Sequence, residues 1–236
     1  MVRFRIFGVP VQVHASFLLI VVLGPLHDAL SAALWLVAAF VAIVLHELGH
    51  SLAARGFGAE GVGITLYGLG GLTSYRPGSM TGHARSFVVS AAGSAVGIAA
   101  GLAIIGLGRV GVYDTWPAPP VDFLDFFVFV ALVWGVLNWV PIVPLDGGHM
   151  VLHLVAMIDE KRAPLIAQVI TWVAVAVIVP LAIWAGYYFA AAIVVFFAFM
   201  GFREYRDATR PPTPKPHPRS EVSEIEDPAD PPPFPI

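Results

Sequence analysis

The chain has 236 residues, no cysteine, a formal net charge of −3, and 58% apolar against 12% charged residues. Soluble domains carry about a quarter charged residues, so this composition excludes an ordinary soluble enzyme and indicates an integral membrane protein. The lack of cysteine removes any disulfide framework, thiolate metal site or catalytic thiol, and no basic patch points to nucleic acid.

In chain order, residues 2–13, VRFRIFGVPVQV, alternate apolar and polar side chains around a Gly/Pro break. That pattern predicts short extended segments at a membrane surface. No cleavable leader is predicted, so the first apolar run is expected to stay in the protein. This run, residues 15–26, barely approaches the roughly 20 residues a span needs. A second span covers residues 31–56, uncharged from Ala32 to Leu45 and then running directly into His46-Glu47-Leu48-Gly49-His50. Residues 61–75, GVGITLYGLGGLTSY, are too short and glycine-broken for a span. They predict a surface hairpin or a re-entrant loop sheltered by protein.

A third span over about residues 86–107 carries Ser90, Ala91, Ala92, Gly93, Ser94 and Gly97, which suit close helix packing. After a polar loop at 109–121, a fourth span runs from Phe123 to Asn138. It stops at Pro141-Ile142-Val143-Pro144-Leu145-Asp146-Gly147-Gly148, where two prolines and two glycines break the helix. A short helix at 149–158, a charged turn at 159–162 and two spans at 163–183 and 187–202 complete the apolar part.

The expected architecture is an all-α integral membrane fold. It has about six transmembrane helices and a small membrane-associated β-hairpin, with residues 1–209 as the core. Residues 210–236 form a Pro-rich tail too poor in apolar surface to fold. Arginine and lysine set the orientation. With the N-terminus cytoplasmic, Arg3, Arg5, Arg55, Arg76, Arg85, Lys161, Arg162 and all basic residues from Arg203 onward share that side. Only Arg109 lies outside, near Asp114, Asp122 and Asp125. Both termini are therefore expected in the cytoplasm of a multi-pass protein in the cell membrane.

Residues four apart share a helix face, so His46 and His50 can offer two imidazole nitrogens to one Zn²⁺, with Glu47 as general base. Ionisable groups in so apolar a helix are costly and mark function. A rise of about 1.5 Å per residue sets His46 about 14 Å from Arg55, within the hydrocarbon zone. A catalytic zinc wants a third protein ligand. Asp146, at the broken helix end among apolar neighbours, is the best candidate.

Together the two stretches resemble the site-2 protease family of intramembrane zinc metalloproteases. HELGH matches that family's HExxH, and Asn138-Trp139-Val140-Pro141-Ile142-Val143-Pro144-Leu145-Asp146-Gly147 matches its NxxPxxPxxDG. The glycine-rich segment 61–75 is similar to its membrane-associated hairpin. The resemblance implies one Zn²⁺ per chain on His46, His50 and Asp146, with Glu47 as catalytic base. It also implies Asn138 near the substrate or the developing oxyanion, and a transmembrane protein as substrate for regulated intramembrane proteolysis.

The chain departs from the family in its third span, where Gly93-Ser94-Ala95-Val96-Gly97 stands in place of the usual Gly-Pro with a nearby Asn. The departure weakens the expectation of polar support from this helix but not that of the zinc site. With no inserted PDZ-like segment and no nucleotide-binding pair, the sequence resembles a compact form of the family. His149 and His153 are four apart with no matching carboxylate evident, which disfavours a second metal. His14 and His83 read as interfacial residues rather than as the lining of a water path. A metal transporter is the competing function and a catalytically silent binder the third, the latter opposed by the intact Glu47.

Overall fold

The computed structural model describes residues 1–25, 27–68 and 70–209. The expectation of a disordered tail falls on 210–236, outside the described residues. Two N-terminal strands, β1 (Val2–Ile6) and β2 (Val9–Val13), form a hairpin whose turn puts Phe7 and Gly8 at positive φ. A 3₁₀ helix (Ala15–Leu23) then leads to α1 (Ala29–Gly56), β3 (Glu60–Tyr67) and β4 (Gly70–Arg76). The remainder is helical: α2 (His83–Arg109), α3 (Ala118–Asn138), α4 (Asp146–Ala156), α5 (Ala163–Trp184) and α6 (Tyr188–Thr209).

The hairpin expected at 61–75 is half of a larger object. The four strands form one sheet in the order β1-β2-β3-β4, antiparallel except for the parallel pair β2–β3. The 3₁₀ helix and α1 together make the crossover that this parallel pair requires. Val9, Val11, Ile64 and Leu66 point from the sheet into a core shared with Ala38, Ala39, Ala42 and Ile43 of α1.

Among the described residues, five helices are long and apolar enough to cross a membrane: α1, α2, α3, α5 and α6. The run at 15–26, expected to be a sixth, is instead a nine-residue 3₁₀ helix. At about 2 Å per residue it covers about 18 Å, well short of a hydrocarbon core of about 30 Å. Tertiary contacts hold it in place. The indole Nε1 of Trp35 donates to the carbonyl of Ile20 at 2.9 Å, and Phe17 stacks edge-on with Phe40 at 6.1 Å. The segment thus runs antiparallel to the first half of α1. Asp28 then caps α1 by accepting from the backbone N–H and hydroxyl of Ser31.

The helices around the site approach closely because glycine allows it. A side chain at Gly49 of α1 would strike the backbone of Ala92 and Gly93 at 2.7–2.8 Å, and one at Gly135 of α3 would strike Ile98. On α5, Leu165, Val169, Val173, Val177 and Leu181 recur every four residues and are all exposed. An apolar stripe of this kind suits lipid, and the chain is a multi-pass membrane protein in character.

Candidate metal centre

His46, Glu47 and His50 lie in the second half of α1, all buried. The two histidine rings sit edge to face with centroids 4.8 Å apart, as the one-turn spacing dictates. Asp146 reaches them from the first residue of α4, after the Pro141–Pro144 break has ended α3 and turned the chain back. The turn is tight. A side chain at Gly147 would meet the Trp139 carbonyl at 2.3 Å, and one at Gly148 would meet the Val143 nitrogen at 2.4 Å. The Val143 N–H donates to Oγ1 of Thr171 on α5, which fixes the loop from behind.

Three ligand atoms converge there. Oδ2 of Asp146 lies 3.1 Å from Nε2 of His46 and 3.2 Å from Nε2 of His50, and the two nitrogens are 3.1 Å apart. Tetrahedral zinc, with bonds of about 2.0–2.1 Å, has ligand-to-ligand edges of roughly 3.3 Å. The triangle therefore fits one face of a zinc coordination sphere. The tautomers agree with this: Nδ1 of His50 donates to the carbonyl of Val89 at 2.7 Å, leaving Nε2 with its lone pair facing inward. Nδ1 of His46 is buried and has no partner among the described residues. This is the one group of three such side chains among the described residues that can hold a metal ion.

Glu47 sits on the neighbouring face of the same turn, against the sheet. Its Oε2 accepts from the hydroxyl of Thr73 on β4 at 2.7 Å, and that hydroxyl also lies 3.1 Å from the backbone carbonyl of Glu47. The room for the carboxylate comes from Gly71, where a side chain would lie 2.5 Å from Cγ and 2.7 Å from Oε1 of Glu47.

Sequence reasoning missed several of these supports. Ser94 of α2 donates to Oδ2 of Asp146 at 3.4 Å, so the third span does give polar support that its departure from the family pattern had argued against. Gly93 is equally constrained, because a side chain there would lie 2.2 Å from Nε2 of His50. Both read from the sequence only as small packing residues, and Thr73 only as part of the segment expected to form a hairpin or re-entrant loop. The expected site residue Asn138 is not drawn into this cluster: its side-chain amide donates to the Trp134 carbonyl of its own helix at 3.0 Å. It lines an adjacent apolar cavity of about 230 Å³ with Trp35, Trp134, Ile142 and Leu145.

Comparison with known proteins meets this geometry. Residues 108–182 match the family described as Peptidase family M50, a stretch that includes Asp146 and its proline-glycine turn. A candidate zinc metalloprotease of Synechocystis sp. is 33% identical over 193 residues, covering 73% of this chain and 50% of that protein. A zinc metalloprotease of Methanocaldococcus jannaschii is 28% identical over 162 residues, 67% of this chain and 45% of its own length. Over the residues they cover, these matches make the chain similar to peptidase family M50. The solved site-2 protease of M. jannaschii is similar in fold, with a TM-score of 0.61 at 22% identity, covering 91% of this chain and 99% of that one. The chain spans about half the length of the curated relatives it matches.

Proposed function

We propose that the chain is an intramembrane zinc metalloendopeptidase, cutting peptide bonds in or near the transmembrane segments of membrane-protein substrates. The observation that carries this reading is the convergence of two imidazole nitrogens and a carboxylate oxygen within about 3.2 Å of one another, one residue from an anchored glutamate. His46, His50 and Asp146 hold the zinc. When bound, the ion supplies Lewis acidity, lowering a water's pKa toward about 7 and polarising a carbonyl.

The remaining chemistry belongs to the protein. Thr73 occupies Oε2 of Glu47, so Oε1 is the atom left to take the proton from the attacking water and return it to the leaving amine. Asp146 is the least buried of the three ligands, its side chain 19% exposed, and water reaches the site from its side. A helical substrate must unwind locally before its carbonyl can be attacked. Among the described residues β4 is paired only with β3, so its other edge is the one that could receive an unwound strand where it passes Glu47. Asn138 takes the oxyanion or substrate role by letting go of the Trp134 carbonyl.

Residues 1–209 act as the protease core. The asymmetry of arginine and lysine supports both termini lying on the cytoplasmic side of the cell membrane. The deciding experiment uses purified chain with Zn²⁺ and a single-pass substrate in detergent. Wild type cleaves, while Glu47→Gln retains zinc and loses cleavage by at least about 100-fold. A Glu47→Gln protein that still cleaves, or a wild type that passes metal across vesicles and cleaves nothing, overturns the assignment.

A further inference from the structure

A second histidine cluster lies away from the centre, where the start of α2 meets the end of α4. Nδ1 of His83 faces Nδ1 of His153 at 3.3 Å, with the two rings 5.6 Å apart and tilted by 31°. Oε1 of Glu160 stands 3.7 Å from the other nitrogen of His83, its Nε2. The sequence could pair His153 only with His149, one turn away on the same helix. The fold supplies a different partner, 70 residues distant, and with it the carboxylate that seemed to be missing.

The electrostatics favour coordination. Negative charge beside Nε2 of His83 draws the ring proton to that nitrogen and leaves a lone pair on Nδ1. This is the carboxylate–histidine arrangement that commonly backs a metal ligand. Without an ion, Nδ1–H of His153 donates to that lone pair. A divalent ion replaces this hydrogen bond when His153 moves its proton to Nε2, so no net proton is released. Burial, followed by the fields of His149 and His83, pushes His153 down to about 4, so it is neutral and ligand-competent at physiological pH. The separation of 3.3 Å equals the ligand edge of a zinc-sized ion. A third of the His83 side chain and most of Glu160 are exposed, so the pair is open to solvent and water can complete the coordination sphere.

We propose that His83 and His153 form a second, weaker site for a divalent transition-metal ion, clamping α2 to α4 with Glu160 orienting His83. Its position ties it to the main centre. α4 begins at Asp146 and carries His153 two turns later, about 10 Å along. α2 carries His83 at its start and then Val89 and Ser94, which touch His50 and Asp146. An ion on the outer pair therefore pins together the two helices that back the ligands of the inner one.

The test uses the full chain in detergent, stripped and reloaded with one equivalent of Zn²⁺, then dialysed against a rising Zn²⁺ series with bound metal counted by mass spectrometry. Wild type and Glu47→Gln take up a second equivalent. His83→Gln and His153→Gln each stop at one, and their retention of that first equivalent shows that they are folded. Glu160→Gln keeps the second equivalent at about tenfold lower affinity, and unchanged affinity removes the orienting role of Glu160. His50→Ala loses the tight equivalent and keeps the weak one, which separates this claim from the assignment of the main site. Saturation of wild type at one equivalent, or a second equivalent persisting in His83→Gln or His153→Gln, overturns the proposal.

Discussion

At the scale of single residues, the proposed general base, Glu47, is only as good as its anchor. Thr73 donates one hydrogen bond to Oε2 of Glu47, and bonds to a charged group are worth about 1.5–3 kcal/mol. Thr73→Val keeps the shape and removes the donor. It should lower kcat roughly 10- to 100-fold with KM and bound zinc unchanged, as read from steady-state cleavage and metal counts. His153 makes a separate prediction in acid. Its depressed pKa means that between about 6.5 and 4 the unfolded chain binds a proton that the folded chain refuses. Stability from this group is therefore complete above about 6.5, falls with pH through that window and is lost below about 4. His153→Gln should flatten that part of the profile, measured as the wild-type-minus-variant difference in Tm at pH 7 and pH 4.5, so that the acid sensitivity of the main site cancels. The three residues that converge were legible in the sequence because their spacing is local: His46 and His50 need only a helix, and Asp146 only a broken one. Thr73, Ser94 and the Val89 carbonyl were not, since each matters only through a contact made by another element.

At the scale of elements, the helices were readable from long apolar runs, and the N-terminal region was not. Residues 15–26 have the composition of a span and the structure of a 3₁₀ helix, because the Trp35 indole and the adjoining Gly24-Pro25 fix them against α1 rather than leaving them to pack alone. The alternating pattern of residues 2–13 signalled strands but could not show that β2 pairs in parallel with β3, about 50 residues further on. The α1–α2 crossing makes its own prediction. Gly93→Ala drives a methyl into Nε2 of His50, which is 2.2 Å from the new carbon, and should lose the tight zinc equivalent while helical content by circular dichroism is kept. Gly71→Ala crowds Glu47 instead, and should keep zinc while losing cleavage. If the two variants behave alike, the division of labour between α2 and β4 is wrong.

At the scale of the whole molecule, the asymmetry of arginine and lysine is the argument for orientation, and the cysteine-free chain makes it easy to check. A single cysteine introduced at Lys161 should react with a membrane-impermeant maleimide only after cells are opened. One at Val112, in the turn between α2 and α3, should react on intact cells. The reverse pattern inverts the topology. An ion held by these residues would also act as a long-range tie. His50 and Asp146 are 96 positions apart, so a newly made chain can complete α1 and its sheet well before the last ligand leaves the ribosome. Until α4 emerges the two imidazoles lack Asp146, and on the proposed function hydrolytic competence is switched on only when the later half of the polypeptide has been inserted.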